Sequence, residues 1–231
     1  MKIGIVGNGF VGSSVAFGFS PTTGCDADVK IYDKDASKGT HSLDEVINTS
    51  DFIFVSVPTP SNKDGSISLN IVNDVFSEMN ELNNRKDNVF LLRSTVIPGS
   101  TRKIQRKCKN LNIVFNPEFL TERSAKLDFI NQARFILGGR KKDVNKVSKL
   151  FKSRFGTSMP IIKTNYETAE LIKYMNNCFF ATKVSFLNEM YQIADKCGVD
   201  WDMAVEGFVR DGRIGHSHMS VPGPDGKLGW W

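Results

Sequence analysis

Three glycines near the start of the chain have the spacing of a phosphate-binding turn. Gly7, Gly9 and Gly12 follow the apolar run 3–6 and precede a helical pattern. In this strand–loop–helix setting, the first glycine permits a tight turn, the second lets the backbone approach a pyrophosphate, and the third lets helix and strand pack closely. The helix N-terminus adds unpaired N–H groups for the phosphates. Glycine-rich turns also occur without a ligand, so the motif needs a second feature beside it.

An acidic residue at the end of the next apolar segment is that second feature. Residues 28–33 read as a strand, and Asp33 lies 21 residues after Gly12. This is about the separation at which an acid hydrogen-bonds the ribose hydroxyls of adenosine. A carboxylate there repels a 2′-phosphate and favours NAD over NADP, although the neighbouring Lys34 weakens that preference. The alternative is an ordinary solvated acid at a strand end.

Two further segments carry groups suited to acid–base chemistry. Thr95 stands where an apolar strand passes into a helix, and it either faces a ligand or caps that helix. Glu118 and Glu122 follow Pro117 and share one face if the chain is helical there. By spacing alone, that face is as well explained by contact with solvent.

The helical stretch 167–197 carries a lysine and an asparagine one turn apart on a largely apolar background. Lys173 and Asn177 are at positions i and i+4. A buried lysine needs a partner for its charge, whereas the alternative is that its side chain reaches the surface. Two histidines at 216 and 218 are too weak a pattern for a metal site, and we predict none.

The elements that must position these residues alternate between apolar runs and amphipathic stretches, which is typical of a parallel sheet covered by helices. The predicted strands are 2–6, 28–33, 51–57, 89–94, 112–115, 134–138 and 160–163. The predicted helices are 10–19, 42–48, 69–83, 100–108, 141–153, 167–197 and a short one near 200–209. The fold class is therefore α/β, with an N-terminal Rossmann-type, doubly wound, mostly parallel sheet followed by a long helix and a partial helical central domain.

The pattern changes near residue 165 and divides the chain into three parts. We predict a Rossmann-type domain over 1–165, a central domain over 166–211 that contains the long helix, and a glycine- and proline-rich tail over 212–231. The helix 167–197 would be roughly 46 Å long. Because apolar residues cover much of its circumference, we expect it to pack on several sides and to form a homodimer.

The composition is that of an ordinary globular protein. The 231 residues are 40% hydrophobic and 24% charged, with a net charge of +5. No apolar run approaches the length that crosses a bilayer, and the N-terminus does not read as a signal peptide. No zinc spacing or basic helical arm indicates nucleic acid. The four cysteines are far apart, which predicts a reduced, cytoplasmic location.

Six motifs in order resemble the UDP-glucose/GDP-mannose dehydrogenase family over essentially the whole chain. They are GIVGNGFVG, VPTP, STVIPGST, NPEFLTE, AELIKYMNN and RIGHSHMSVPGPDGKLGW. The separation of NPEFLTE and AELIKYMNN is the most specific of these features. The resemblance implies an NAD-dependent oxidoreductase.

The resemblance also implies roles for single residues. The cofactor-binding set it implies is Gly7, Gly9, Phe10, Val11, Gly12, Asp33, Lys34, Thr59, Thr95 and Glu122. The catalytic set is Thr95, Glu118, Glu122, Lys173 and Asn177. The substrate-binding set is Glu118, Phe119, Leu120, Glu122, Lys173, Asn177 and Gly229. In these roles Thr95 helps to hold a water, Glu118 acts as acid and base, and Lys173 with Asn177 holds the charge on the substrate oxygen.

The reaction implied by the resemblance is a four-electron oxidation of a sugar nucleotide, UDP-glucose to UDP-glucuronate, with two NAD. It passes through an aldehyde and a cysteine thioester, which is then hydrolysed. The family's cysteine motif directly follows a tail like 212–231, and none of Cys25, Cys108, Cys178 or Cys197 matches that position. We therefore expect this chain to bind NAD without completing the oxidation.

Two other functions fit parts of the pattern. One is a non-catalytic module that binds NAD and dimerises through the long helix. The other is a different β-hydroxyacid-type dehydrogenase, because those enzymes also join a Rossmann domain to a long helix with a lysine and an asparagine one turn apart. The NPEFLTE segment and the tail argue against the second alternative.

Overall fold

The computed structural model describes residues 1–121, 123–223, 226 and 228. The chain forms two compact units, one spanning Met1–Lys173 and one that begins at Tyr174.

A sheet of seven strands, counted over the described ranges, forms the centre of the first unit. The strands are β1 (Lys2–Val6), β2 (Asp28–Tyr32), β3 (Phe52–Val55), β4 (Val89–Leu92), β5 (Ile113–Phe115), β6 (Phe135–Gly139) and β7 (Ile161–Thr164). Their order is β2-β1-β3-β4-β5-β6-β7. Neighbours are parallel except β5 and β6, which are antiparallel. This confirms the predicted doubly wound, mostly parallel sheet.

Helices follow most of the strands and cover both faces of the sheet. They are α1 (Phe10–Gly18), α2 (Leu43–Thr49), α3 (Asn70–Leu82), α4 (Ser100–Lys107), α5 (Ala125–Ile130), α6 (Lys141–Phe155), α7 (Tyr166–Cys197) and α8 (Trp201–Val209). Helix α5 was not predicted, because six residues are too few to show helical periodicity. No helix in the described part of the chain combines the length and apolarity that a membrane crossing needs.

The two faces of the sheet bury two separate apolar layers. On β3, Ile53 and Val55 point into a layer shared with α2, α3 and α4, while Phe54 points into the opposite layer with α1, α5 and α6. Since both faces are covered, the strands read as continuous apolar runs rather than alternating ones. A stacked pair, Phe135 and Phe151, with ring centres 4.0 Å apart, joins β6 to α6.

The second unit contains the rest of α7, then α8 and the following segment. Its small core consists of Leu187, Val209, Met219 and Val221. The indole N–H of Trp201 donates to the carbonyl of Val221 at 2.7 Å and holds the segment after α8 against this core. Several large apolar side chains of α7 in this unit are exposed: Met175, Phe179, Phe186 and Ile193.

Candidate cofactor and active site

The glycine turn between β1 and α1 brings three stretches of backbone into contact. Gly7 has φ +88°, and its N–H donates to the carbonyl of Tyr32 at 2.9 Å. A Cβ at Gly7 would overlap the carbonyl oxygen of Ser56, and one at Gly12 would overlap the carbonyl oxygen of Gly7. A Cβ at Gly9 would meet nothing within 4 Å. The turn therefore presents bare backbone to open space, the surface that a diphosphate needs.

A cleft of about 990 Å³ runs along the carboxyl edge of the sheet beside this turn. Nine of the predicted site residues line it: Gly7, Gly9, Phe10, Val11, Asp33, Lys34, Thr59, Thr95 and Glu118. Helix α1 starts at the cleft with no side-chain cap and no acidic residue in its first turn. Its first N–H groups are thus open to an anionic ligand.

The carboxylate of Asp33 is fixed by backbone at one end of the cleft. Its Oδ2 accepts the N–H of Asn8 at 2.6 Å, and its Oδ1 accepts the N–H of Asp35 at 2.8 Å. The side chain of Asn8 also donates to the carbonyl of Lys38, which ties the glycine turn to the loop after β2. Each oxygen of Asp33 keeps a lone pair for a ribose hydroxyl.

The loop after β4 carries Thr95 to the middle of the cleft. The hydroxyl of Ser94 accepts the N–H of Val57 at 3.0 Å and donates to its carbonyl at 2.6 Å. This pair of bonds joins the ends of β3 and β4, and half-buried Thr95 follows it directly. Thr59 lines the cleft from the β3 side.

Glu118, which lines the cleft at its β5 end, forms an ion pair with the buried side chain of Lys173. The ammonium group of Lys173 is 2.8 Å from Oε1 of Glu118 and 2.6 Å from the Glu118 carbonyl oxygen. The other carboxylate oxygen accepts the N–H of Leu120 at 2.7 Å. The Lys173 ammonium is also 5.2 Å from the ring centre of Phe119. Lys173 therefore does not reach the surface, and its charge is paired.

The segment around Glu118 is not helical, although the predicted common face of Glu118 and Glu122 requires a helix there. Residues 116–121 have no helical turn. Pro117 starts an irregular stretch in which the Glu118 side chain bonds its own backbone two residues on, a local turn that competes with a helix. The condition for placing Glu118 and Glu122 on one helical face is therefore not met. Glu122 itself lies outside the described residues.

Arg93, which the sequence interpretation did not single out, lies buried at the end of β4. Its Nη1 donates to Oδ1 of Asn116 at 2.6 Å, and the Asn116 amide donates to the carbonyl of Ile136 at 3.0 Å. Within the described residues its Nε and Nη2 have no hydrogen-bond partner. Burial lowers the pKa of Arg93 to about 10, against the opposing charge of Glu118. The sequence feature that could have indicated this residue is its position directly after the apolar run 89–92.

Some predicted residues are not brought to the cleft within the first unit. Asn177 is exposed on α7 and belongs to the second unit. Gly229, like Glu122, lies outside the described residues. Neither Cys25 nor Cys108 lines the cleft. In the part of the chain that the structure describes, no three His, Cys, Asp or Glu side chains are grouped as metal ligands.

A doubly wound sheet with a glycine turn, an uncapped helix and a strand-end acid along one cleft defines an NAD-binding domain of the Rossmann type. Comparison with family models narrows the class. Residues 30–154 match the NAD binding domain of the UDP-glucose/GDP-mannose dehydrogenase family, and residues 167–227 match its central domain. The chain belongs to this family.

Curated relatives agree with this assignment. UDP-glucose 6-dehydrogenase AglM of Haloferax volcanii is 30% identical, and the match covers 100% of this chain and 62% of the relative. The uncharacterized protein MJ1054 of Methanocaldococcus jannaschii is 37% identical over 76% of this chain and 20% of its own length. The match thus spans between 20% and 62% of the length of these relatives.

Solved structures show the same fold. A GDP-mannose dehydrogenase from Pseudomonas aeruginosa has a TM-score of 0.82 at 25% identity, covering 95% of this chain and 59% of that one. A UDP-glucose dehydrogenase from Pyrobaculum islandicum has a TM-score of 0.79 at 25% identity, covering 94% and 58%. A 3-hydroxyisobutyrate dehydrogenase from Mycobacterium tuberculosis shares the fold alone, with a TM-score of 0.71 at 16% identity.

Proposed function

We propose that this chain supplies the NAD-binding part and half of the catalytic centre of a nucleotide-sugar 6-dehydrogenase that oxidises UDP-glucose to UDP-glucuronate. The observation that carries the proposal is the buried pair of Glu118 and Lys173 at one end of a cleft whose other end holds Asp33. The names of the relatives support UDP-glucose as the substrate.

Each end of the cleft has a separate task in this proposal. NAD, when bound, supplies a hydride acceptor. Asp33 binds the adenosine ribose, and the bare backbone at Gly9 receives the diphosphate. Thr59 and Thr95 line the path to the nicotinamide. The remaining cofactor and substrate contacts follow the family resemblance: Phe10, Val11, Gly12, Lys34, Phe119, Leu120, Glu122 and Gly229.

The pair of Glu118 and Lys173 suits the oxygen chemistry at the sugar carbon. Two of the three N–H groups of the Lys173 ammonium donate to oxygen atoms of Glu118, which leaves one to donate to an alkoxide beside them and stabilise its charge. Glu118 can take a proton from a water that Thr95 holds, which makes it the base of the hydrolytic step. Asn177 assists at the substrate oxygen in this proposal.

The covalent stage of the proposed reaction needs a thiolate. Cys25 and Cys108 do not line the cleft, and Cys108 is buried with its thiol against the Phe76 carbonyl. Burial raises the pKa of the Cys108 thiol, which disfavours a thiolate there. None of the four cysteines matches the family's cysteine motif, and we therefore propose that this chain binds NAD and does not by itself complete the oxidation.

The organisation of the chain is part of the same proposal. Residues 1–165 form the NAD-binding domain, 166–211 the central domain and 212–231 a segment that contacts the nucleotide sugar. The exposed apolar side chains of α7 in the second unit support a homodimer through the helix 167–197. Four cysteines without disulfides support a cytoplasmic location.

Titration of the purified chain with NADH and NADPH by calorimetry tests the proposal. We expect NADH to bind to one site per chain and NADPH to bind more weakly. Absence of NADH binding would overturn the proposed function. Sustained NADH production when UDP-glucose and NAD are added would overturn only the statement that this chain lacks the nucleophile. Sedimentation of the same sample tests the homodimer.

A further inference from the structure

Helix α7 carries a buried carboxylate, that of Glu170, one turn before Lys173. Glu170 is 0% exposed. Its Oε2 accepts the N–H of Gly99 at 2.6 Å, and its Oε1 accepts the N–H of Thr101 at 2.7 Å. Both donors belong to the start of α4. Burial of a carboxylate is costly unless its oxygens are bonded, and here each oxygen has a backbone donor.

Helix α4 depends on this carboxylate because it has no cap of its own. Its N-cap residue is Gly99, and no side chain from the helix or the preceding turn bonds its first N–H groups. Glu170 supplies the missing acceptor from another element. A negative charge at this position also interacts favourably with the helix dipole.

The same contact connects two parts of the proposed active site. Gly99 ends the turn that begins at Thr95. The bond from the Gly99 N–H to Glu170 therefore fixes the end of that turn. Glu170 and Lys173 are three residues apart and therefore lie on one face of α7. That face holds the Thr95 turn through Glu170 and the carboxylate of Glu118 through Lys173.

We propose that Glu170 is a positioning residue for the nicotinamide end of the cofactor site, because it holds the Thr95 turn at a fixed distance from the helix that carries Lys173. The inference rests on the proposed function. It assigns Glu170 no contact with the ligand. In this proposal the geometry around Thr95 depends on Glu170. The adenosine end does not, because Asp33 is held by the backbone N–H groups of Asn8 and Asp35.

The test compares two ligands on the same protein. NADH reaches both ends of the cleft, whereas ADP-ribose has the adenosine and diphosphate but no nicotinamide. Calorimetry gives the dissociation constant of each for the wild type, Glu170→Gln and Glu189→Gln. Glu189 is the control, because it is an exposed carboxylate on the same helix.

We expect Glu170→Gln to weaken NADH binding about fivefold or more while ADP-ribose binding changes less than about twofold, because one charge-assisted bond to the turn is lost. The control should change neither constant. Hydrogen exchange of the Thr101 amide should also accelerate in Glu170→Gln only. If Glu170→Gln does not fold, Glu170→Asp keeps the charge but draws it back by one methylene, and the same selective loss is expected.

The outcomes separate this inference from the proposed function. If the wild type binds neither ligand, the proposed function fails and this inference fails with it. If the wild type binds both and the folded Glu170 variants weaken both equally, or neither, the positioning role is wrong and the proposed function stands.

Discussion

The two ends of the cleft hold their carboxylates in different ways. Asp33 accepts the backbone N–H groups of Asn8 and Asp35, whereas Glu118 is held by the buried ammonium of Lys173. Strands β2 and β5, which carry them, are four steps apart in the sheet, roughly 19 Å. Asp33 therefore offers acceptor oxygens to hydroxyl groups, whereas Glu118 has a cation beside it.

The largest effect should come from removing the cation at the buried end. Lys173→Met leaves the Glu118 charge buried without its partner, and we expect the free energy of unfolding to fall by about 3–5 kcal/mol. The control is Lys30→Met, which breaks the Lys30–Glu45 pair, whose side chains are 20% and 44% exposed. It should cost less than about 1 kcal/mol. Urea denaturation measures both, and equal losses would contradict the difference between the two pairs.

The next effect concerns the glycine turn beside the Asp33 end of the cleft. Gly7→Ala adds a strained φ and an overlap with the Ser56 carbonyl, so we expect a loss of about 3 kcal/mol in the free energy of unfolding. Gly24→Ala is the control, because Gly24 also has positive φ but a Cβ there meets nothing. It should cost about 1 kcal/mol. Thermal unfolding compares the two, and a smaller loss at Gly7 would mean that the close approach is unimportant.

A change at the adenosine end should alter binding rather than stability. Asp33→Asn removes a charged acceptor for ribose hydroxyls and the repulsion of a 2′-phosphate. We expect NADH to bind about tenfold more weakly and the preference for NADH over NADPH to shrink. Asp64→Asn, which alters an exposed acid bonded to Ser66, is the control. Unchanged preference in Asp33→Asn would remove Asp33 from the cofactor site.

The smallest effect on the free energy of unfolding is expected from the exposed pair of Arg102 and Glu167, in contrast to the pair of Lys173 and Glu118. Hydrogen bonding from Arg102 lowers the pKa of Glu167 to about 2. Because the folded pKa is below the unfolded one, the pair stabilises the fold above about pH 4.5, and this contribution is lost as the pH falls through about 2. Both side chains are more than a third exposed, so we expect less than about 1 kcal/mol. Urea denaturation at a series of pH values should find the wild type more stable than Glu167→Gln above about pH 4.5, and the difference should vanish as the pH falls through about 2.

The sequence predicted most of the fold, because strands buried on both faces read as apolar runs and the helices between them are amphipathic. It left open whether Lys173 is buried with a partner or reaches the surface, because the partner, Glu118, is 55 residues away and only the fold brings them together. Arg93 and Glu170 were missed for the same reason. A charge beside apolar residues indicates burial, and its function depends on contacts distant in sequence.

The face of α7 that carries Glu170 and Lys173 also limits which insertions and deletions in its sequence this protein can tolerate. Each residue of a helix is rotated by about 100° from the one before it. A one-residue insertion between these two positions would leave either the start of α4 or Glu118 without its partner. Substitutions can therefore accumulate along the helix, but its length between these two contacts is fixed.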